Sequence, residues 1–203
     1  MFKKIALTVL LLPALVYLFR VGLADFLRIE PSVYIEAVQN GKARPQLPRL
    51  QTAHERLLFA RFWDGSNPAI PEVLGQIAVM RAQLYFLSPE LQGRYYSEAI
   101  GYFDAALALR PNSALLWADR MVAGSALLEA DARSGTGAGR ADAELTAIRS
   151  AYHHAAGLAP WDPKILGQLV RVGAFRYSAF KAEERPVIDA AITRANQLGL
   201  DYK

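Results

Sequence analysis

The stretch AIGYFDAALALRP, residues 99–111, decides the fold of this chain. Its Ala99, Phe103 and Ala106 are spaced four and three residues apart, which places small, aromatic and small side chains on one helix face. Pro111 then ends the helix. The stretch IRSAYHHAAGLAP, residues 148–160, repeats this register. Repeated helix–turn–helix units usually build binding surfaces, so the pattern indicates a binding protein more strongly than it indicates an enzyme.

The composition limits the classes of function. The 203 residues are 53% hydrophobic and 21% charged with a net charge of +4, which argues against disorder and against a strongly basic nucleic-acid surface. We therefore expect no nucleic-acid partner. Cysteine is absent, so disulfides, thiolate zinc sites and cysteine nucleophiles are excluded.

The apolar periodicity predicts an all-α protein. No segment alternates apolar and polar residues as a strand does, and prolines or glycines separate the helical patterns. We expect residues 30–50 to form an irregular linker, in which Val33, Tyr34, Ala37 and Val38 could make a short helix. We expect residues 51–203 to form a helical domain with a flexible glycine-rich loop at 131–141. After the N-terminal segment, the pattern predicts seven helices, near 52–63, 71–87, 95–109, 113–128, 142–158, 163–177 and 183–198.

The N-terminal segment, residues 1–29, predicts a membrane anchor. Lys3 and Lys4 precede an apolar stretch at 5–19, which spans about 22 Å as a helix, against the roughly 30 Å of a hydrocarbon core. Continuing it to Ala24 makes a transmembrane helix long enough, with the lysines in the cytoplasm and the domain outside. Two alternatives remain: a secretory signal that is cleaved near Ala24, or a buried helix of a cytosolic domain.

The register at 99–111 and 148–160 resembles the second helix of a tetratricopeptide (TPR) repeat. Trp117 follows Pro111 by six residues, where that family expects a large side chain, and Leu166 follows Pro160 in the same way. Two features depart from the family pattern. The two prolines are 49 residues apart instead of the expected 34, and the small and tyrosine positions of the first helix are missing. The resemblance implies a domain of TPR-like helical hairpins, with the glycine loop as an insertion.

Two longer strings resemble the VpsP-type accessory proteins of bacterial exopolysaccharide biosynthesis operons. They are ALALRPNSALLWA at 106–118 and AAGLAPWDP at 155–163. This resemblance implies a non-enzymatic accessory or adaptor protein in polysaccharide synthesis or export. It would sit in the bacterial inner membrane by a single pass, hold its soluble domain in the periplasm and bind other proteins of the envelope polysaccharide machinery. The alternatives are an envelope enzyme acting on glycans, and a general envelope scaffold unrelated to polysaccharide.

The sequence offers no constellation typical of catalysis, a cofactor or a metal. The run GTGAGR at 135–140 follows a helix and lacks the lysine of a phosphate-binding loop. His153 and His154 are adjacent, so on a helix they diverge by about 100°. The carboxylates have no spacing that marks an acid–base pair. We therefore expect no enzyme activity, no cofactor and no metal site.

Four residues are candidates for partner binding. If the TPR register holds, the helices that begin near Ser113 and Pro163 line the concave face, and Asp119, Gln168 and Arg171 face a partner there. Trp161 stands in a turn between two prolines, where an exposed ring can stack on a ligand. Trp117 suits a packing position better than a binding one.

Overall fold

The computed structural model describes the backbone of residues 2–200 and the side chains of 11–137 and 139–200. Within these residues the protein is entirely helical, which confirms the all-α prediction. A long helix precedes the seven helices predicted for the domain. The helices are α1 (Phe2–Gln39), α2 (Leu47–Trp63), α3 (Ala69–Leu84), α4 (Pro89–Leu109), α5 (Ala114–Ser134), α6 (Ala141–Leu158), α7 (Pro163–Phe175) and α8 (Arg185–Gln197).

The helices form a stack in which each packs on the next along the chain. Further contacts join α1 to α3, α5 to α7 and α6 to α8. The repeat residues lie at the centre of this packing, since Ala99, Phe103 and Ala106 of α4 are buried, as are Ile148, Tyr152 and Ala155 of α6. Prolines 111 and 160 follow the ends of these two helices. The predicted helix faces and stops are thus confirmed.

The cap of α7 is also where the sequence predicts it. The Asp162 carboxylate accepts hydrogen bonds from the backbone N–H groups of Lys164 and Ile165, at 2.9 and 3.2 Å, and Pro163 begins the helix. Side-chain acceptors of this kind satisfy N–H groups that have no partner inside the helix.

Helix α1 corrects the expected linker at 30–50. The helix continues through Pro31 to Gln39, and α2 already begins at Leu47, with no side-chain cap from Thr52. Proline removes one backbone hydrogen bond from a helix, but here Ala24 and Ile35 are fully buried against α2 and α3, which offsets that loss. The second half of α1 therefore shares a hydrophobic core with α2 and α3.

The N-terminal part of α1 projects from the stack. From residue 11 to residue 20 every side chain is exposed. Within the described residues, no helix combines the length and the apolar character that crossing a membrane requires. This finding does not support the predicted transmembrane helix.

The glycine-rich loop is shorter than the predicted 131–141. Helix α5 continues to Ser134, Gly135 ends it with a positive φ of 71°, and a short 3-10 turn follows at Ala138–Arg140. The Arg140 guanidinium donates two hydrogen bonds, at 2.8 and 2.6 Å, to the buried carboxylate of Asp131. Gly137 passes so close to this carboxylate that a side chain would overlap it. The loop is thus fastened at both ends, although its composition suggested a flexible connector.

A large residue packed against a glycine sets the spacing of α3 and α4. A Cβ atom on Gly75 would lie 2.6 Å from the Phe103 ring. We expect Gly75→Ala to lower the free energy of unfolding by about 1–3 kcal/mol, because the added methyl overlaps the Phe103 ring and α3, α4 or the ring must shift. Chemical denaturation followed by circular dichroism measures this change.

Gly101→Ala is the matched control. Gly101 lies in the exposed face of α4 with nothing within 4 Å of the added Cβ atom, so this variant should gain up to about 1 kcal/mol from better helix propensity. Equal effects of the two substitutions would contradict a packing role for Gly75.

Candidate functional site

A groove runs along the side of the stack formed by the odd-numbered helices. It has a volume of about 390 Å³ and is lined by the end of α1 and by α3, α5 and α7, with buried Phe103 of α4 beneath. The apolar lining comes from Val38, Val79, Met80, Phe103 and Val122. The polar lining comes from Gln39, Asn40, Gln76, Gln83, Asp119, Lys164 and Gln168. Five of these seven polar side chains are carboxamides, so the groove presents many paired hydrogen-bond donors and acceptors.

Two of the four predicted binding residues meet in this groove. The Gln168 Nε2 atom on α7 donates a hydrogen bond to Asp119 Oδ1 on α5 at 3.1 Å. The residues are 49 positions apart in the sequence, and the packing of α5 against α7 brings them together. The Gln76 side chain on α3 also favours the charged form of Asp119 and so acts to lower its pKa. Asp119 is therefore the polar centre at which three helices converge.

The other two predicted residues lie outside the groove. Arg171 is exposed on α7 and is not among the groove residues. Trp161 is 55% exposed in the turn before α7, and the guanidinium carbon of Arg194 lies 5.5 Å from its ring centre. The structure thus divides the predicted set into a pair that meets and two separate surface residues.

Burial dominates the electrostatics of Asp119. Removal from water raises the pKa of this carboxyl from 3.8 to about 6, because the opposing effects of the Gln168 hydrogen bond and the Lys164 charge are smaller. The charge of Glu72 raises it further. Near neutral pH, the Asp119 carboxylate is therefore charged although its poor solvation disfavours the charge. A ligand that donates a hydrogen bond to the carboxylate would stabilise the charged form.

Gln168 also has an unused acceptor beside Asp119. Its Oε1 atom is buried and receives no hydrogen bond from any described residue. A buried polar group without a partner is costly. A donor from a bound molecule would satisfy this atom and Asp119 together.

Trp117 and His54, which lie outside the groove, have partners within the protein. Trp117 is partly buried between two core clusters, donates a hydrogen bond from Nε1 to the Pro111 carbonyl at 2.7 Å and stacks on His154. His54 contacts Glu98 and Tyr102 at 3.2 and 3.1 Å. Within the described part of the chain, no three histidine or carboxylate side chains converge to hold a metal ion.

Sequence reasoning missed most of the carboxamides in the groove. Gln76 and Gln83 are seven residues apart on α3, so the same spacing argument that aligned the apolar residues could have placed them on one face. Gln39 and Asn40 gave no such signal, because their position depends on α1 continuing past Pro31 into the domain.

No family model matches the chain, and no curated protein has significant sequence similarity to it. The geometry of the groove is therefore the basis for the functional argument.

The raised pKa of Asp119 predicts a pH-dependent stability. Between about pH 4 and pH 6 the folded chain keeps a proton that the unfolded chain releases, so the free energy of unfolding falls as the pH rises through this window. Asp119→Asn lacks this titration. Its stability relative to the wild type should therefore increase by about 2 kcal/mol between pH 4 and pH 7.

Denaturant unfolding of both proteins at several pH values measures this difference. Parallel stability curves from pH 4 to pH 7 would show that Asp119 is better solvated than the structure indicates.

Proposed function

We propose that this chain is a TPR-like adaptor that binds an extended segment of a partner protein in its groove. The observation that carries the proposal is the set of five carboxamides, Gln168 among them, that line the groove together with Asp119. An extended peptide alternates N–H donors and carbonyl acceptors along its length. Carboxamides match both kinds of group, so a row of them suits a peptide backbone.

The remaining groove residues fit the same ligand. The Asp119 carboxylate, which Gln168 holds in place from α7, is an acceptor that suits an N–H donor from a peptide. Val79, Met80 and Val122 provide apolar surface for its side chains. The combination of an apolar lining with a few positioned polar groups is typical of binding sites.

The projecting segment of α1 supports attachment to a membrane. The large apolar side chains from Leu11 to Phe19 are 51–65% exposed, and the domain touches them only where Phe19 meets Trp63 of α2. A helix that is apolar all round requires an apolar surrounding. We propose that α1 crosses a bacterial inner membrane from residue 5 to about Ala24 and that the domain lies on the periplasmic side, since Lys3 and Lys4 favour a cytoplasmic N-terminus. Ala24 is fully buried within a continuous helix, which favours an uncleaved anchor over a cleaved signal.

The cellular process is proposed from resemblance alone. The strings at 106–118 and 155–163 resemble VpsP-type accessory proteins, so the proposed partner belongs to the exopolysaccharide synthesis or export machinery. Binding of a partner in the groove does not depend on which process the partner serves. Identification of the bound protein therefore tests the proposed process separately from the proposed groove.

Site-specific photo-cross-linking tests the groove. A photoreactive phenylalanine at Gln83, which lines the groove, should give a discrete adduct with one envelope protein, and mass spectrometry identifies it. The same probe at Ser97, exposed on α4 outside the groove lining, is the control. Gln76→Ala with Gln168→Ala should reduce the Gln83 adduct at least fivefold, because two carboxamides are lost.

Arg94→Ala with Ser97→Ala changes two exposed α4 residues and should leave that adduct unchanged. Equal adducts from both probe positions, or an adduct insensitive to the groove variant, would contradict the proposed binding site.

A reporter fusion tests the orientation in the membrane. Alkaline phosphatase is active only where its disulfides form, so a fusion at the C-terminus should be active in a bacterial host if the domain is periplasmic. A fusion that is produced but inactive would place the domain in the cytoplasm.

A further inference from the structure

Helix α1 carries an exposed apolar stripe that nothing in the domain covers. We call Leu12, Leu15, Phe19, Gly22, Phe26, Ile29 and Val33 the α1 stripe. Its six large side chains are 57–70% exposed. Phe19 also touches Trp63 of α2 edge-on, with the ring centres 6.3 Å apart. The stripe continues well beyond the apolar segment at 5–19 and runs alongside the folded domain.

The spacing within the stripe is that of a coiled coil. Its residues alternate steps of three and four positions over three heptads, with Leu12, Phe19, Phe26 and Val33 seven residues apart. A repeat of 3.5 residues keeps one helix face against another helix, which a lone helix or a flat surface does not require. Because residues 11–19 are apolar on every side, the spacing is selective only beyond Phe19, where Phe26, Ile29 and Val33 keep the same register and point to a second helix as the occupant.

The domain packs on the opposite side of α1, so the stripe faces outward. Ala24 and Ile35 are fully buried against α2 and α3, and Leu27 is partly buried there. The two prolines within α1, Pro13 and Pro31, are not stripe residues, and Pro31 is buried. One face of α1 thus holds the domain and the other remains free along its length.

We propose that two copies of this chain pair through their α1 stripes as a parallel coiled coil. The seven stripe residues match themselves across a twofold axis, which is the usual symmetry of a homodimer. Val16 and Leu18 at the flanking positions are also exposed, which widens the face that a second copy would cover.

A lipid surface explains only part of the stripe. Ile29 and Val33 lie 5 and 9 residues after Ala24, which is about 8 and 14 Å further along the helix axis. An anchor that ends near Ala24 therefore leaves these two side chains beyond the hydrocarbon, where a second α1 covers them and lipid does not. The pairing itself does not rest on the proposed groove function, whereas its parallel orientation follows from both anchors lying in one membrane.

The charges beside the stripe are already paired within one chain. Glu30 forms an ion pair with Arg56 of α2. Asp25 contacts Arg28 at 3.5 Å and accepts a hydrogen bond from Asn67 at 3.2 Å. These partners reduce the repulsion between the acidic residues of two adjacent α1 helices.

Cysteine cross-linking of the purified full-length chain in lipid nanodiscs tests the proposal, since the native chain has no cysteine. Phe26→Cys and Val33→Cys should each form disulfide-linked dimers at least tenfold more than Ser97→Cys, which places the thiol on exposed α4 surface. In a mixture of the two stripe variants, dimers of like chains should dominate. Dominant mixed dimers would overturn the parallel arrangement.

Light scattering in mild detergent provides a second measurement. The wild type should have twice the protein mass of the Phe26→Glu/Ile29→Glu variant, whereas Phe62→Glu, which alters an exposed phenylalanine outside the stripe, should stay dimeric. A monomeric wild type, or cross-linking no stronger at the stripe than at Ser97, would show that lipid or another protein covers α1 and would overturn the proposal. The groove cross-link at Gln83 is measured separately, so each proposal can fail alone.

Discussion

The packing of Phe103 against Gly75 is the contact on which the rest of the stack depends. Because Gly75 has no side chain, the ring fills the space beside α3 and holds α3 and α4 close together. Two other glycines also make room for a neighbouring helix: a Cβ atom on Gly124 would overlap the Glu144 carboxylate that pairs with Arg120, and one on Gly173 would lie 2.8 Å from Ile188. These close approaches keep successive helices antiparallel and adjacent, so the odd-numbered helices come to share one side of the molecule.

The groove on that side carries an unfavourable charge. Asp119 would be better solvated on the outside of the stack, and burial raises its pKa accordingly. Gln168 beside it has a buried acceptor without a partner among the described residues. Costs of this kind are common at binding sites, where a ligand supplies the missing hydrogen bonds. In the proposed adaptor, the partner's backbone would supply them.

Sequence periodicity predicted much of the fold because helix faces, caps and ends depend on residues only a few positions apart. Pro111 and Pro160 ended helices as expected, Asp162 capped α7, and the aromatic at each repeat centre was buried. The failures came where long-range contacts outweighed local signals. Pro31 suggested a break, but burial of Ile35 carried α1 onward. The glycines near 135 suggested a loose loop, but the Asp131–Arg140 ion pair closed it.

The sequence by itself determined which segments are helical, which face of each is apolar and where most helices end, because these depend on residues within a few positions of one another. Only the tertiary structure decided that Asp119 and Gln168 touch, that Arg171 and Trp161 stand apart from them, and that Gln39 reaches the same groove. Helix spacing and rotation set these distances, and both follow from side chains far apart in the chain. The repeat at 99–111 predicted the helical stack, and the packing of the helices formed the groove in which Asp119 and Gln168 meet.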